Sequence, residues 1–305
     1  MKSLKTVKPQ TSSLPAICPR RMAWLSRPKT SVASTFLCLL RRRGTGEITR
    51  VNPDNGEVRL FATGLENPFG LAFGPDRCLY VAENGTETVW RICETQRLVF
   101  PAIVRGAGSF SKLVVSTGNE EASVTGTFVR SDGEALASEE LVLGENGTGE
   151  LLFEGSANLE VGYLDVVIEP ARSRPVVSEI IQLELGGERP APIGVGSAAP
   201  CSKPGFSLIR NAQSNTGGAF ASILEEPITC DWSIFTGLTG ILAAEGSFQI
   251  PAGGQHQFFP SEGTSLPADF VGNFQAFCTA PVYAFSLFQQ SKDGSLTSNS
   301  AGCLK

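Results

Sequence analysis

The sequence predicts an all-β chain. Short runs rich in Val, Ile, Phe and Thr alternate with turn residues, and no long apolar stripe of 3.6-residue period occurs. Thirty-three Gly and nineteen Pro among 305 residues, with charged residues held to 18%, suit many tight turns rather than helices. A hydrophobic share of 41% is enough for two or three cores of ordinary domain size.

Residues 1–43 read as a basic leader, either disordered or a malformed signal. They hold ten Lys or Arg and no acid, which leaves fifteen basic and thirty acidic residues for the rest of the chain. A nucleic-acid partner calls for a basic stripe on the folded part, and that part is acidic, so none is expected. The ten-residue apolar run Ser31 to Leu40 is short of a bilayer span, so no transmembrane segment is expected either. Arg41 to Arg43 stand where an export signal needs small residues.

Residues 44–94 carry five short β-rich runs: Ile48 to Val51, Val58 to Ala62, Gly70 to Phe73, Leu79 to Ala82 and Thr88 to Ile92. Between them lie Asn52-Pro-Asp-Asn-Gly56, Gly64 to Pro68, Gly74-Pro-Asp76 and Asn84-Gly85. The run Gly64-Leu-Glu-Asn-Pro-Phe-Gly-Leu-Ala-Phe-Gly-Pro-Asp76, followed by Leu79-Tyr-Val-Ala-Glu-Asn-Gly85 and Val89-Trp-Arg-Ile92, resembles one repeat of NHL and SMP-30/gluconolactonase-type β-propellers. The resemblance covers about fifty residues and implies a single blade, with upstream blades expected to be missing from this chain. It also implies a rival reading, a truncated lactone hydrolase or sugar dehydrogenase of the propeller class that is inactive as this fragment. Phe69 stands where the SMP-30-like hydrolases carry a metal-binding Asn, and a phenyl ring offers a hard cation no oxygen.

The pattern changes near Thr95 to longer strands, beginning at Arg97-Leu-Val-Phe-Pro101. Two segments then echo each other. Leu159 to Ile168 leading to Arg174-Pro-Val to Ile181 parallels Phe270 to Phe277 leading to Ala280-Pro-Val to Phe288. Glu150 to Glu154 and Gly246 to Ile250, the latter followed by Pro251-Ala-Gly-Gly254, are expected in equivalent places. Residues 95–190 and 191–305 are accordingly expected to form two β-sandwich-like modules, the second with a polar tail. An immunoglobulin-like sandwich is the expected fold of each, and with Asp269-Phe-Val-Gly272 as a late strand they are similar to paired all-β modules at the C-termini of bacterial secreted and surface proteins. That resemblance implies a spacer or binding role outside the cytoplasm.

Eight cysteines without a Cys-x-x-Cys point to oxidation rather than metal binding. If Asn84-Gly-Thr-Glu87 closes a hairpin, position 83 pairs with 88, and stepping outward places Cys78 opposite Cys93. Cys201, Cys230, Cys278 and Cys303 fall in or beside the last module and allow three connectivities, one of which staples its ends and links two inner strands. Cys18 and Cys38 lie in the leader.

The sequence points to no catalytic, cofactor-binding or metal residues. The single histidine, His256, reads as a strand-edge side chain. Glu120-Glu121, Glu139-Glu140 and Glu225-Glu226 are adjacent pairs, so their members point to opposite faces when on strands. Glu83 and Asn84 stand where strand ends of a blade can face a propeller's channel, but calcium needs six or more oxygens, so no metal is expected there. Asn84-Gly-Thr86 and Asn146-Gly-Thr148 read as turns rather than glycosylation sites, and Trp232 as core. The expected function is a non-catalytic, extracytoplasmic binding or spacer protein acting in adhesion or protein contact. Its partner is a protein or surface ligand of unknown identity, and self-association through the unpaired edges of the blade is expected.

Overall fold

The computed structural model describes residues 24–25, 37–42, 46–51, 58–74, 78–84, 88–92, 95–155, 157–170, 173–184, 187, 189–260, 264–290 and 296–304. Among these residues it is nearly all β, in several sheets, none closed into a barrel. The chain divides into two compact units: Met1–Thr95 with Pro170–Arg172, and Gln96–Glu169 with Ser173–Lys305.

In the first unit β1 (Trp24–Leu25), β2 (Leu37–Arg42), β3 (Glu47–Val51) and β4 (Val58–Ala62) form one antiparallel sheet. A second holds β5 (Pro68–Phe73), β6 (Leu79–Glu83) and β7 (Val89–Ile92). The five runs seen in the sequence thus become strands, but in two sheets. Between β4 and β5 the chain is turned by Gly64 and Asn67, both at positive φ (79° and 52°), and Pro68 at the head of β5 has no N–H to give a ladder. Ile48, Leu65, Leu79, Val81 and Ile92 pack together beneath these strands. The β6–β7 register runs from Leu79↔Ile92 to Ala82↔Val89, and the Glu83 N–H donates to the Thr88 carbonyl at 3.0 Å. This is the register expected of the Asn84 hairpin.

The second unit begins with β8 (Gln96–Arg105), β9 (Phe110–Ser116), β10 (Ala122–Arg130), β11 (Ala135–Leu143), β12 (Thr148–Glu154), β13 (Glu160–Glu169), β14 (Val176–Gln182) and β15 (Ile193–Val195). They make two four-stranded sheets, β11-β10-β13-β8 and β12-β9-β14-β15. Their inward residues, among them Phe100, Leu113, Val124, Phe128, Phe153, Leu164 and Ile168, form one buried core. Removing each such side chain from water contributes roughly 1.5–3 kcal/mol. The alternation that the sequence shows is the alternation of burial, as in β9, where Ser111, Leu113 and Val115 are buried and their neighbours are not. Gly126 stands at an inward site of β10, where an added Cβ would lie 2.9 Å from the Phe153 ring; glycine is what lets the two sheets approach there.

The chain continues through β16 (Pro200–Cys201), β17 (Pro204–Arg210), β18 (Ser214–Ala221), β19 (Ile228–Thr236), β20 (Leu242–Ile250), β21 (Gln255–Phe258), β22 (Phe270–Cys278), β23 (Val282–Gln290), β24 (Leu296–Ser300) and β25 (Gly302–Cys303). Pairing is continuous through these ten strands, but β17 and β18 share only Arg210↔Asn215, and there the sheet folds over on itself. Its layers run β20-β19-β22-β17 and β21-β18-β23-β24. Substituting β17 to β24 for β8 to β15 in order reproduces every antiparallel partnership of the first stack. Two of the sequence echoes follow this repeat, since Leu159 to Ile168 leads into and along β13, Phe270 to Phe277 lies in β22, and the strands after them are β14 and β23. The third is displaced by one strand. Glu150 to Glu154 is in β12, whereas Gly246 to Ile250 is in β20, the counterpart of β11. The turn Pro251 to Gly254 leads into the short β21, which fills the β12 place.

The two stacks share buried ground. Ala219 of β18 and Phe285 of β23 belong to the first core, and Val99, Val129, Tyr163 and Ala221 form a small core of their own. Gln255, only 3% exposed, donates its side-chain amide to the carbonyls of Pro101 and Gly162 in the first stack, and its backbone N–H donates to Ser131 at 2.9 Å. The Tyr163 hydroxyl donates to the Gly253 carbonyl at 2.8 Å, and burial pushes that phenol well above its ordinary pKa. Gln255→Ala strands two interior carbonyls, at a cost of about 2–4 kcal/mol. Urea unfolding of the variant is expected to show that loss in a single transition; a change below about 0.5 kcal/mol, the usual span of surface substitutions, would show the junction to be dispensable.

Candidate functional site

The chemistry-bearing residues of the second unit sit mainly in its second stack. Cys230 on β19 lies directly opposite Cys278 on β22, and the two are bonded with Cα atoms 4.0 Å apart. Cys201 on β16 is bonded to Cys303 on β25, Cα to Cα 5.7 Å, across a sequence separation of 102. Of the three connectivities open in the sequence, the structure therefore has the one that ties the ends of this stack and joins two inner strands. Cys78 is also disulfide-bonded, at the head of β6. Cys93 and Cys18 lie outside the described residues, as do the side chain of Cys38 and the turn acids Asp54 and Asp76.

Beneath β19 the aromatic side chains converge. Phe206 and Phe274 stack at 4.7 Å between centroids, Phe220 lies 5.0 Å from Phe248, and Trp232 lies 4.9 Å from Phe258. Trp232 is 8% exposed and Gly246 faces it, an added Cβ falling 2.6 Å from the indole. It is a core residue. His256 is half-buried and stacked on the Phe248 ring at 4.4 Å, and desolvation lowers its pKa, so the neutral imidazole is favoured.

The acids separate by environment. Glu83 is buried, and its carboxylate accepts the backbone N–H of Glu66, tying the segment before β5 to β6. Asn146 takes φ of 53° in a turn, as its Asn-Gly sequence requires. Glu225 and Glu226 are exposed together, and Glu140 accepts a hydrogen bond from Ser123 at 3.0 Å. Among the described residues no three His, Cys, Asp or Glu side chains gather as metal ligands.

Glu179 is the exception. It is fully buried on β14 between Leu113 of β9 and Val195 of β15, and neither carboxylate oxygen has a hydrogen-bond partner among the described residues. Desolvation raises its pKa well above 4.5. The sequence did hold a signal, for Glu179 interrupts the period-two face formed by Val177 and Ile181. Gln255 gave no comparable signal, because its acceptors are more than ninety residues away.

In comparison with known proteins, no family model matches this chain and no curated protein matches it. No helix among the described residues is long and apolar enough to cross a membrane.

Proposed function

We propose that this chain is a non-catalytic, extracytoplasmic binding or spacer protein. In this reading residues 44–94 are a propeller-type blade and the two stacks are immunoglobulin-like modules that make adhesive or protein contacts. The observation that carries it is the pair of cross-strand and end-to-end disulfides in the second stack, a device of proteins that work in oxidising compartments. The shared core and the Gln255 junction support the spacer role, because they couple the stacks into one body instead of leaving a flexible link. The polar side chains support a contact role over a catalytic one: His256 is occupied by an aromatic stack and Glu83 by a backbone amide.

The test is intact mass after alkylation, with and without reductant, on the chain directed to an oxidising compartment. Five described cysteines are disulfide-bonded, so three bridges are expected to leave two of the eight thiols to alkylate before reduction. Full alkylation of a folded, unreduced protein would exclude the extracytoplasmic reading.

A further inference from the structure

The edges of the second unit are treated unequally. β11 carries Glu139 and Glu140, and β12 carries Glu150 and Glu154. β15, β16, β21 and β25 run four residues or fewer, and the outer side of β24 meets β15, where Ser298 donates to the Gly194 carbonyl at 2.8 Å. Such charges and short lengths are the usual protections of a sheet edge. β20, the counterpart of β11, is less protected. It is nine residues long, Leu242-Ala-Ala-Glu-Gly-Ser-Phe-Gln-Ile250, with Glu245 its one charge. Among the described residues it ends the layer β20-β19-β22-β17, and Leu242, Ala243, Glu245, Gly246, Ser247 and Gln249 are exposed. The turn before it adds apolar surface, Leu238 at 103% and Ile241 at 63% exposure.

We infer that β20 is a self-pairing edge that joins two copies of this chain by antiparallel β20–β20 addition about a twofold axis at Gly246. This rests on the contact role proposed above and names its partner. A twofold axis makes the interface isologous, so the strand must complement itself. In the register that overlaps all nine residues, Glu245 faces Ser247 of the second copy, a hydroxyl that can donate to it, and the same pair recurs on the other side of the axis. The core-facing residues alternate in size across the pair: Ala244 meets Phe248 of the second copy and Leu242 meets Ile250. Sliding the axis to Glu245 would set the two carboxylates directly against each other, a destabilising apposition. Full overlap therefore gives the longest ladder while keeping the charges apart. It also brings the exposed Leu238 and Ile241 beside the Pro251-Ala252 turn of the second copy, apolar against apolar.

Sedimentation velocity on the full, oxidised chain across a concentration series tests the pairing, with Ser247→Glu and Ser247→Lys as variants. Each substitution is felt twice in the dimer, and at about threefold per contact Ser247→Glu is expected to weaken dimerisation roughly tenfold and Ser247→Lys to tighten it by a similar factor. Ser247 also faces Asp231 within the molecule, so thermal unfolding of each variant at low concentration is measured alongside to keep the intramolecular effect separate. Wild-type protein that stays monomeric at its highest soluble concentration, with its disulfides formed, overturns the self-pairing and leaves the extracytoplasmic reading standing. Lysine weakening association as glutamate does overturns this register, since a merely blocked edge responds to either charge.

Discussion

Cys230→Ala with Cys278→Ala is expected to lower the unfolding free energy by about 4 kcal/mol, the chain-entropy value for a loop of this length. The bond joins directly opposed residues of β19 and β22 and closes 48 residues of sequence, including the whole of β20 and β21. Without it, the denatured chain regains the freedom of that loop while the folded stack keeps its aromatic core, so most of the effect acts through the unfolded state. Cys201→Ala with Cys303→Ala opens a loop of 102 residues and is expected to cost about 4–5 kcal/mol by the same reasoning. Domains of this kind hold only about 5–15 kcal/mol in total, so either loss should be plain in urea unfolding at neutral pH. A change below about 1 kcal/mol for the Cys230 pair, well under the usual 2–4 kcal/mol for a disulfide, would mean that the denatured chain is already restrained by other means.

Glu179→Met is expected to raise stability at neutral pH and to remove a pH dependence that the wild-type chain carries. An ionised carboxylate with no partner in an apolar core is strongly disfavoured, so Glu179 takes up a proton, and its folded-state pKa stands well above 4.5. Below pH 4.5 the side chain is protonated in both states and contributes no slope. As pH rises beyond that, the unfolded chain ionises while the folded one does not. Folding then loses about 1.4 kcal/mol per pH unit until the folded-state pKa is passed. Up to about 3 kcal/mol is at stake between pH 4.5 and 7. Met replaces the carboxyl with an unbranched apolar chain of similar reach that needs no hydrogen bond. Urea unfolding at pH 5 and pH 7 should show the wild-type losing more stability than the variant across that interval. Parallel losses would mean that Glu179 finds a proton donor or a cation in solution.

Local chemistry explains which parts of this fold were legible. Hairpin register is set by turn residues and a period of two, and Asn84-Gly85 placed Glu83 across from Thr88 without further help. The repeat of β13 and β14 in β22 and β23 was visible because Gly, Pro-Val and alternating apolar residues recur in the same order. The equivalence of Glu150 to Glu154 with Gly246 to Ile250 was misplaced because both are short apolar runs before a turn. Only partner strands, β9 for the first and β19 for the second, tell them apart. Glu179 was overlooked because a lone acid in a strand is ordinarily solvated, and its burial depends on β9 and β15 closing on either side.

An all-β chain with disulfide-bonded cysteines is legible in the sequence alone, because turn chemistry and side-chain alternation act over a few residues. Tertiary structure alone decided that the N-terminal runs divide into two sheets, that Cys201 bonds Cys303 and Cys230 bonds Cys278, and that Gln255 couples the stacks. The two disulfides and the Gln255 junction depend on contacts between residues 48 to 154 positions apart, and the N-terminal sheets on which neighbour each strand finds. Short-range pattern does not encode that choice, and packing does.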